Sequence, residues 1–233
     1  MMDILYEDDD IIVVCKPSGI AVQSGRIGEP DLVSELKKYL KTDYIGIVHR
    51  LDQPVQGLLV FGRTRQAAAS LSAQIRDLKT VGFNKRYDAI SVLKRGNIPK
   101  SGRLTDRIVT DRTHNLSFIT DKPDGGREAI LEYTMSEMSG EVCRVCPGLE
   151  PDGQDVFAHI KIDLVTGRRH QIRLQLSNAG MPIVGDRKYG VVPEGYKGDI
   201  CLAATELSFR HPSSDERMMF DAEPSFARGQ FLR

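Results

Sequence analysis

No uncharged apolar run in this 233-residue chain is long enough to cross a bilayer. The longest, IIVVC at 11–15 and LLVFG at 58–62, stop far short of the roughly 20 residues that a membrane helix needs. The opening residues MMDILYEDDD are acidic, where a secretory signal would begin basic and turn apolar. A cytoplasmic protein with no membrane partner is therefore expected. Charge of one sign is lacking too: 32 basic residues meet 32 acidic ones, which argues against a chain that wraps a polyanion by bulk charge. Cysteine is sparse. Cys15 and Cys201 stand alone, and Cys143 with Cys146 makes a single C-x-x-C without the second pair or the histidines that a structural zinc site takes. That pair reads as strand residues beside a turn. Phosphate-binding glycine loops, dinucleotide fingerprints, H-E-x-x-H and G-x-S-x-G are all missing. The five histidines, at 49, 114, 159, 170 and 211, lack metal-ligand spacing, so no metal site is expected.

What is present suits a buried core: 40% of residues are hydrophobic and 27% charged. DDDIIVVCKPSG reads as a short buried strand that ends in a Pro-Ser-Gly turn. GEPDLVSELKKYLK carries apolar residues at Leu32, Val33, Leu36, Tyr39 and Leu40, a helical repeat with Pro30 in its first turn. YIGIV and GLLVFGR are strand-like around a loop. TRQAAASLSAQIRDLK reads as a helix with Thr64 as N-cap and Ala68, Leu71, Ile75 and Leu78 on one face. KRYDAISVL returns to strand, 94–103 reads as loop, and 107–164 is rich in strands separated by turn residues. RRHQIRLQLSNAG reads as a helix with Ile172, Leu176 and Ala179 inward and Gly180 as its stop. Strands follow one another directly, which predicts an α+β fold with a mainly antiparallel sheet. The pattern predicts one domain over 1–233, with two lobes around a cleft.

Three stretches could carry chemistry. Asp52, in HRLDQPVQG, lies beside Arg50 between two apolar segments, so it is either a turn-closing carboxylate or a catalytic one. In GRRHQIRLQL, Arg169 and Arg173 are four apart, a spacing that puts both on one helix face where an anion could dock. Tyr87, flanked by Lys85 and Arg86, suits a base-stacking aromatic as well as an ordinary strand residue. Basic residues also cluster unevenly: Arg63, Arg65, Arg76, Lys79, Lys85 and Arg86 face Asp77 alone, and Arg168, Arg169 and Arg173 form a second knot. A neutral chain can present a basic face in this way.

Taken in order, these blocks resemble the RluA-type pseudouridine synthases, the family of ribosomal large-subunit and tRNA pseudouridine synthases, through nearly the whole chain. ILYEDDDIIVVCKPSGIAVQSG is similar to the family's opening strand and KP-x-G turn, and HRLDQPVQGLLVFGRT to its HRLD signature. KRYDAI is similar to K-x-Y-x-A, TGRRHQIRLQLSNAGMPIVGDRKYG to the G-R-T-H-Q-I-R block, and CLAATELSFRHP to the closing block. The resemblance implies a pseudouridine synthase fold with a central active-site cleft. It also implies cofactor-independent isomerisation of a flipped-out uridine in structured RNA, ribosomal or transfer, by a monomeric enzyme. Carried over onto matching positions, it makes Asp52 the essential carboxylate, pairs Arg173 with it, and stacks Tyr87 on the base. Leu202 would line the uracil pocket, and His49, Arg50, Arg169, His170 and Gln171 would contact substrate. The match begins almost at residue 1, so no N-terminal S4-type RNA-binding domain is expected. This chain departs from the family pattern at Val55, Gln56, Arg169, Gln175 and Ala203, which bears on loop contacts and substrate choice. The alternative is a catalytically silent RNA-binding module that retains the same fold.

Overall fold

Ile11, Ile12, Val13 and Val14 are all fully buried, so the strand they form is covered on both faces. In the computed structural model described here, residues 2–25, 28–76, 82–93, 98–122, 125–138, 156–194 and 196–226 are described. The chain divides into two compact units, the first of residues 1–85 and 204–222, the second of residues 86–203 and 223–233.

The first unit begins with β1 (Asp3–Glu7) and β2 (Ile11–Lys16), an antiparallel hairpin. A two-residue strand, β3 (Gly46–Ile47), and β4 (Gln56–Gly62) follow, and β2 pairs along its whole length with β4, Ile12 lying opposite Phe61. Near the C-terminus, β10 (Leu202–Arg210) and β11 (Arg217–Asp221) close an antiparallel ribbon. One core is built from Ile11, Val13, Leu58 and Val60 with Leu207 and Phe209. Helix α2 (Arg65–Arg76) adds Ala67 and Leu71 to it. Thr64 caps α2 as its position suggests, accepting the Ala67 N–H at 3.0 Å. Gly62 lets α2 in close: a Cβ there would stand 2.5 Å from the Ala68 nitrogen.

Helix α1 (Leu32–Leu40) starts two residues after Pro30 rather than at it. Asp31 is the N-cap, its carboxylate accepting Ser34 N–H at 2.8 Å, while its other oxygen accepts Ser24 N–H at 3.0 Å. Burial pushes the Asp31 carboxyl up, but these N–H donors outweigh it and hold the group below its ordinary value. Pro30 therefore precedes the cap. Replacing Asp31 by Ala is expected to cost about 1 kcal/mol, the usual worth of such a cap, in urea unfolding of the purified chain.

The second unit is an antiparallel sheet in the order β5 (Asn84–Leu93), β9 (Val156–Leu164), β8 (Arg127–Met138), β6 (Ser101–Asp111), β7 (Leu116–Ile119). The reading of 94–103 as loop ends early, because β6 begins at Ser101. Paired residues share a face. Tyr87, Ile162 and Tyr133 form one such row, and Asp106 with Ala129 lies on the same side. The opposite face buries Ile90, Val92 and Phe157 against Val184, Tyr196 and Cys201 of the segment that leads to β10. The strand pairings described above are antiparallel, and strands outnumber helices among the described residues, as an α+β chain should. Cys143 and Cys146 lie outside the described residues, as do Asp77, Leu78 and Lys79.

Helix α3 (Gln171–Asn178) is shorter than its sequence pattern predicts. His170 sits at φ 55, a left-handed conformation that breaks the helix before Gln171. Arg169 is therefore on the preceding loop and exposed, whereas Arg173 is buried, and the two do not share a helix face. Ile172 and Leu176 point inward as expected, but so do Gln171, Arg173 and Gln175. Gly180, at φ 81, ends the segment.

Candidate active site

Lys16 is fully buried at the end of β2, and its ammonium donates to the carbonyls of Pro17 (2.8 Å), Ile20 (2.8 Å) and Gln53 (3.1 Å). A buried ammonium needs such acceptors to offset lost hydration. Here they have a structural consequence: the Lys-Pro-Ser-Gly turn and the loop after Asp52 become one assembly. Gly19 N–H donates to Gln53 O at 3.0 Å, and the Gln53 side-chain amide returns a bond to Gly19 O at 3.0 Å. Ser18 Oγ donates to Pro54 O at 2.7 Å. Val55 N–H then closes a turn on Asp52 O at 3.0 Å. Asp52 is half-buried at the head of this clamped turn.

Gly57 follows at φ 123, and a Cβ there would lie 2.2 Å from the Ala204 carbonyl oxygen. Glycine is required at that position both for its backbone conformation and for the close approach of β10. Val55, one of the departures from the family pattern, is 3% exposed. Its side chain belongs to the interior, and Gln56 beside it is likewise buried as the first residue of β4.

Of the two neighbours in the same block, Arg50 is exposed and donates to Gln23 Oε1 at 2.8 Å. His49 turns the other way. Its ring meets Phe83 edge-on at 5.4 Å, and its Nε2 accepts the Val60 N–H at 3.3 Å. Nδ1 therefore carries the proton, and it meets no acceptor among the described residues. Burial, with the charge of Lys85 nearby, lowers the imidazole to about 3, so it stays neutral. Burial also lowers Lys85 to about 8.

In the second unit, Tyr87 is 4% exposed and lies on the sheet face that α3 covers. Arg173 on α3 makes a two-pronged ion pair with Asp186, Nε to Oδ2 at 2.8 Å and Nη2 to Oδ1 at 2.7 Å. Burial alone would push the Asp186 carboxyl up. The Arg173 guanidinium, through hydrogen bonds and charge, and the Lys188 and Tyr189 N–H groups outweigh this and hold it below the ordinary carboxylate range. Tyr189 lies under the same guanidinium, 5.4 Å from ring centre to Cζ. Its hydroxyl accepts the Ser117 N–H at 2.7 Å and bonds His170 Nδ1 at 2.8 Å.

Asp186 and Tyr189 were not among the residues singled out in the sequence. The GDRKYG block contains both, but only folding shows that they hold Arg173. Gln171 spends its amide inside the chain: Oε1 accepts from Thr166 Oγ1 (2.8 Å) and Arg168 N–H (2.9 Å), and Nε2 donates to Ile130 O (3.0 Å). Gln175 donates to Asp106 Oδ2 at 2.6 Å and Ala129 O at 3.2 Å, which ties α3 to the sheet. Leu202 and Ala203 are both buried where β10 begins. Among the described residues, no three His, Cys, Asp or Glu side chains gather as a metal site. No helix of the described residues is long and apolar enough to cross a membrane.

Residues 10–178 match the family described as RNA pseudouridylate synthase. Ribosomal large subunit pseudouridine synthase D of Vibrio vulnificus is 30% identical over 240 residues, 95% of this chain and 66% of that protein. The protein of the same name from Yersinia pestis is 31% identical over 84% of this chain and 55% of its own length. An uncharacterized RNA pseudouridine synthase of Aquifex aeolicus is 30% identical over 95% of this chain and 69% of its own. The chain thus spans between 55% and 69% of the length of these relatives. Human RNA pseudouridylate synthase domain containing 1 shares the fold at a TM-score of 0.74 and 20% identity, with 98% of this chain and 85% of that one covered. Human RNA pseudouridylate synthase domain containing 4 does so at 0.72 and 20%, over 97% and 90%.

Proposed function

Because this chain belongs to the RNA pseudouridylate synthase family, we propose that it isomerises specific uridines of structured RNA, ribosomal or transfer, to pseudouridine, with Asp52 as the essential carboxylate. The observation that carries the reading is the clamp around Asp52. Lys16, Ser18 and Gly19 hold the residues that follow it, so its carboxylate is presented from a fixed turn rather than a loose loop.

The chemistry fits one such carboxylate and needs no bound group. The target uridine leaves the stack and enters a pocket. Cleavage of the N1–C1′ bond leaves the sugar electron-deficient and the uracil with the bonding pair. An ionised Asp52 then either bonds to C1′ or takes the C2′ proton to give a glycal. The freed ring turns and joins C1′ through C5, the carboxylate is released or returns its proton to C2′, and the C5 proton departs to N1 through a base. Both routes require the same ionised oxygen. In this reading Tyr87 stacks on the uracil, Arg173 serves as the carboxylate's cation, and Leu202 lines the pocket. Arg50 and Arg169, both exposed, serve the RNA strand. His49, His170 and Gln171, placed beside substrate by the family pattern, support it through the strand and loop contacts described above. The protein acts as a cytoplasmic monomer.

The test is pseudouridine mapping in ribosomal and transfer RNA from cells with and without the protein. The expected result is the loss of at least one modified site on deletion and its return on complementation. Identical maps would sink the proposal.

A further inference from the structure

Asn115 holds together three loops that are far apart in sequence. It sits at φ 54 in the turn between β6 and β7, its side-chain carbonyl accepts from Arg169 Nη2, and its backbone carbonyl accepts from Lys188 Nζ at 2.8 Å. Ser117, two residues on, donates from Oγ to Arg169 O at 3.1 Å, and its N–H reaches the Tyr189 hydroxyl. The turn itself is stiff, because Asp111 Oδ1 accepts the N–H groups of Thr113 and His114. The 112–115 turn, the 167–170 loop and the 185–190 corner are therefore one rigid surface of the second unit.

That surface is positively charged. Arg112, Arg169, Arg187 and Lys188 are all exposed. Two carboxylates of these segments are already engaged, Asp186 by Arg173 and Asp111 by His114 at 2.6 Å. In a chain of zero net charge this is segregation of charge, which concentrates field where a polyanion would meet it. One guanidinium donor of Arg169 is used on Asn115, and a guanidinium has five. The exposed aromatic of the hairpin, Phe118, is consecutive with Ser117 and so projects from the opposite face. Phe118 therefore offers bases no stacking platform on this surface, whereas the exposed cations offer phosphate contacts.

We propose that the β6–β7 turn, Arg169 and the Arg187–Lys188 corner form one preorganised phosphate-binding surface that grips the backbone of structured RNA. It deepens the reading above, resting on RNA as the substrate, and assigns a binding role to a hairpin turn that no catalytic motif contains. Because Asn115 fixes the loops before binding, the ordering cost on association is small. Such contacts add affinity with a steep salt dependence and without base preference.

The experiment measures binding of a fluorescein-labelled hairpin RNA with a uridine-rich loop to the full chain, between about 50 and 200 mM KCl. Arg112→Ala/Arg187→Ala is compared with Lys37→Ala/Lys38→Ala, which removes equal charge from α1. The expected result for the first pair is about tenfold weaker binding, with the log–log salt slope reduced by about one per lost phosphate contact. The α1 pair should bind as the parent does. No binding by the parent, an unchanged slope in a first pair that melts like the parent, or equal weakening by both pairs would overturn the proposal. Pseudouridine formation by the parent is assayed separately on ribosomal and transfer RNA. A parent that makes none, yet shows the expected slope change, would retain the surface and sink the activity.

Discussion

Asp52→Asn is expected to lower pseudouridine formation by ~1,000-fold or more while the clamped turn that carries residue 52 stays folded. The activity loss follows from the chemistry. An amide cannot trap C1′ or take a sugar proton, and loss of an essential nucleophile or base commonly costs at least this factor, which is about 4 kcal/mol of barrier. The persistence of the turn follows from its bonds. The turn at Asp52 is closed through its backbone carbonyl, and the clamp acts on Gln53 and Pro54 through backbone carbonyls and the Gln53 amide. None of those bonds uses the Asp52 carboxylate. Single-turnover assays on an unmodified target RNA, together with a thermal melt, measure both quantities. Retention of activity within tenfold, or rescue of a deletion strain by the variant, would instead favour the alternative of a silent RNA-binding module.

Asp186→Asn is the substitution expected to damage the fold most, by about 3–5 kcal/mol. Arg173 and Asp186 have side chains 5% and 0% exposed, so the variant removes one carboxylate from a buried two-pronged ion pair and puts in its place an amide whose single oxygen cannot accept both guanidinium bonds. The pair also sets a pH dependence. The folded carboxyl lies below its unfolded value of roughly 4, so its contribution is complete above that pH and is lost as pH falls through the folded value. Asp31 has the same sign. So does Asp8, where burial pushes up but the Ile11 and Asp10 N–H groups, Tyr6 and His211 together pull lower. The parent should lose stability steadily below about pH 4, and the Asp186→Asn variant should lose less over the same range. Urea unfolding across a pH series reads this directly, and parallel curves for the two proteins would contradict the assignment.

Much of the fold was legible because it rests on local patterning. The apolar runs at 11–14 and 58–61 predicted buried strands, and Thr64 before an alanine-rich amphipathic stretch predicted α2 and its cap. The sequence pattern over-extends helix α3 because its apolar period rests on Ile172 and Leu176, whereas its buried face also contains Gln171, Arg173 and Gln175. Polar residues carry no hydrophobic signal, and their burial is stable only because partners from β6, β8 and the 185–190 corner arrive in three dimensions. The left-handed His170 was equally invisible, since nothing in RRHQ marks a positive φ.

By itself, then, the sequence determined the strand and helix inventory, the Lys-Pro-Ser-Gly and HRLD blocks and the family they resemble, because spacing and residue type are enough for those. Only the tertiary structure decided that Lys16 binds these two blocks together, that Asp186 and Tyr189 hold Arg173, and that Asn115 joins three basic loops into one surface. Each depends on a polar group finding a partner 13 to 73 residues away. That choice is made by packing and desolvation, which no local stretch of chain encodes.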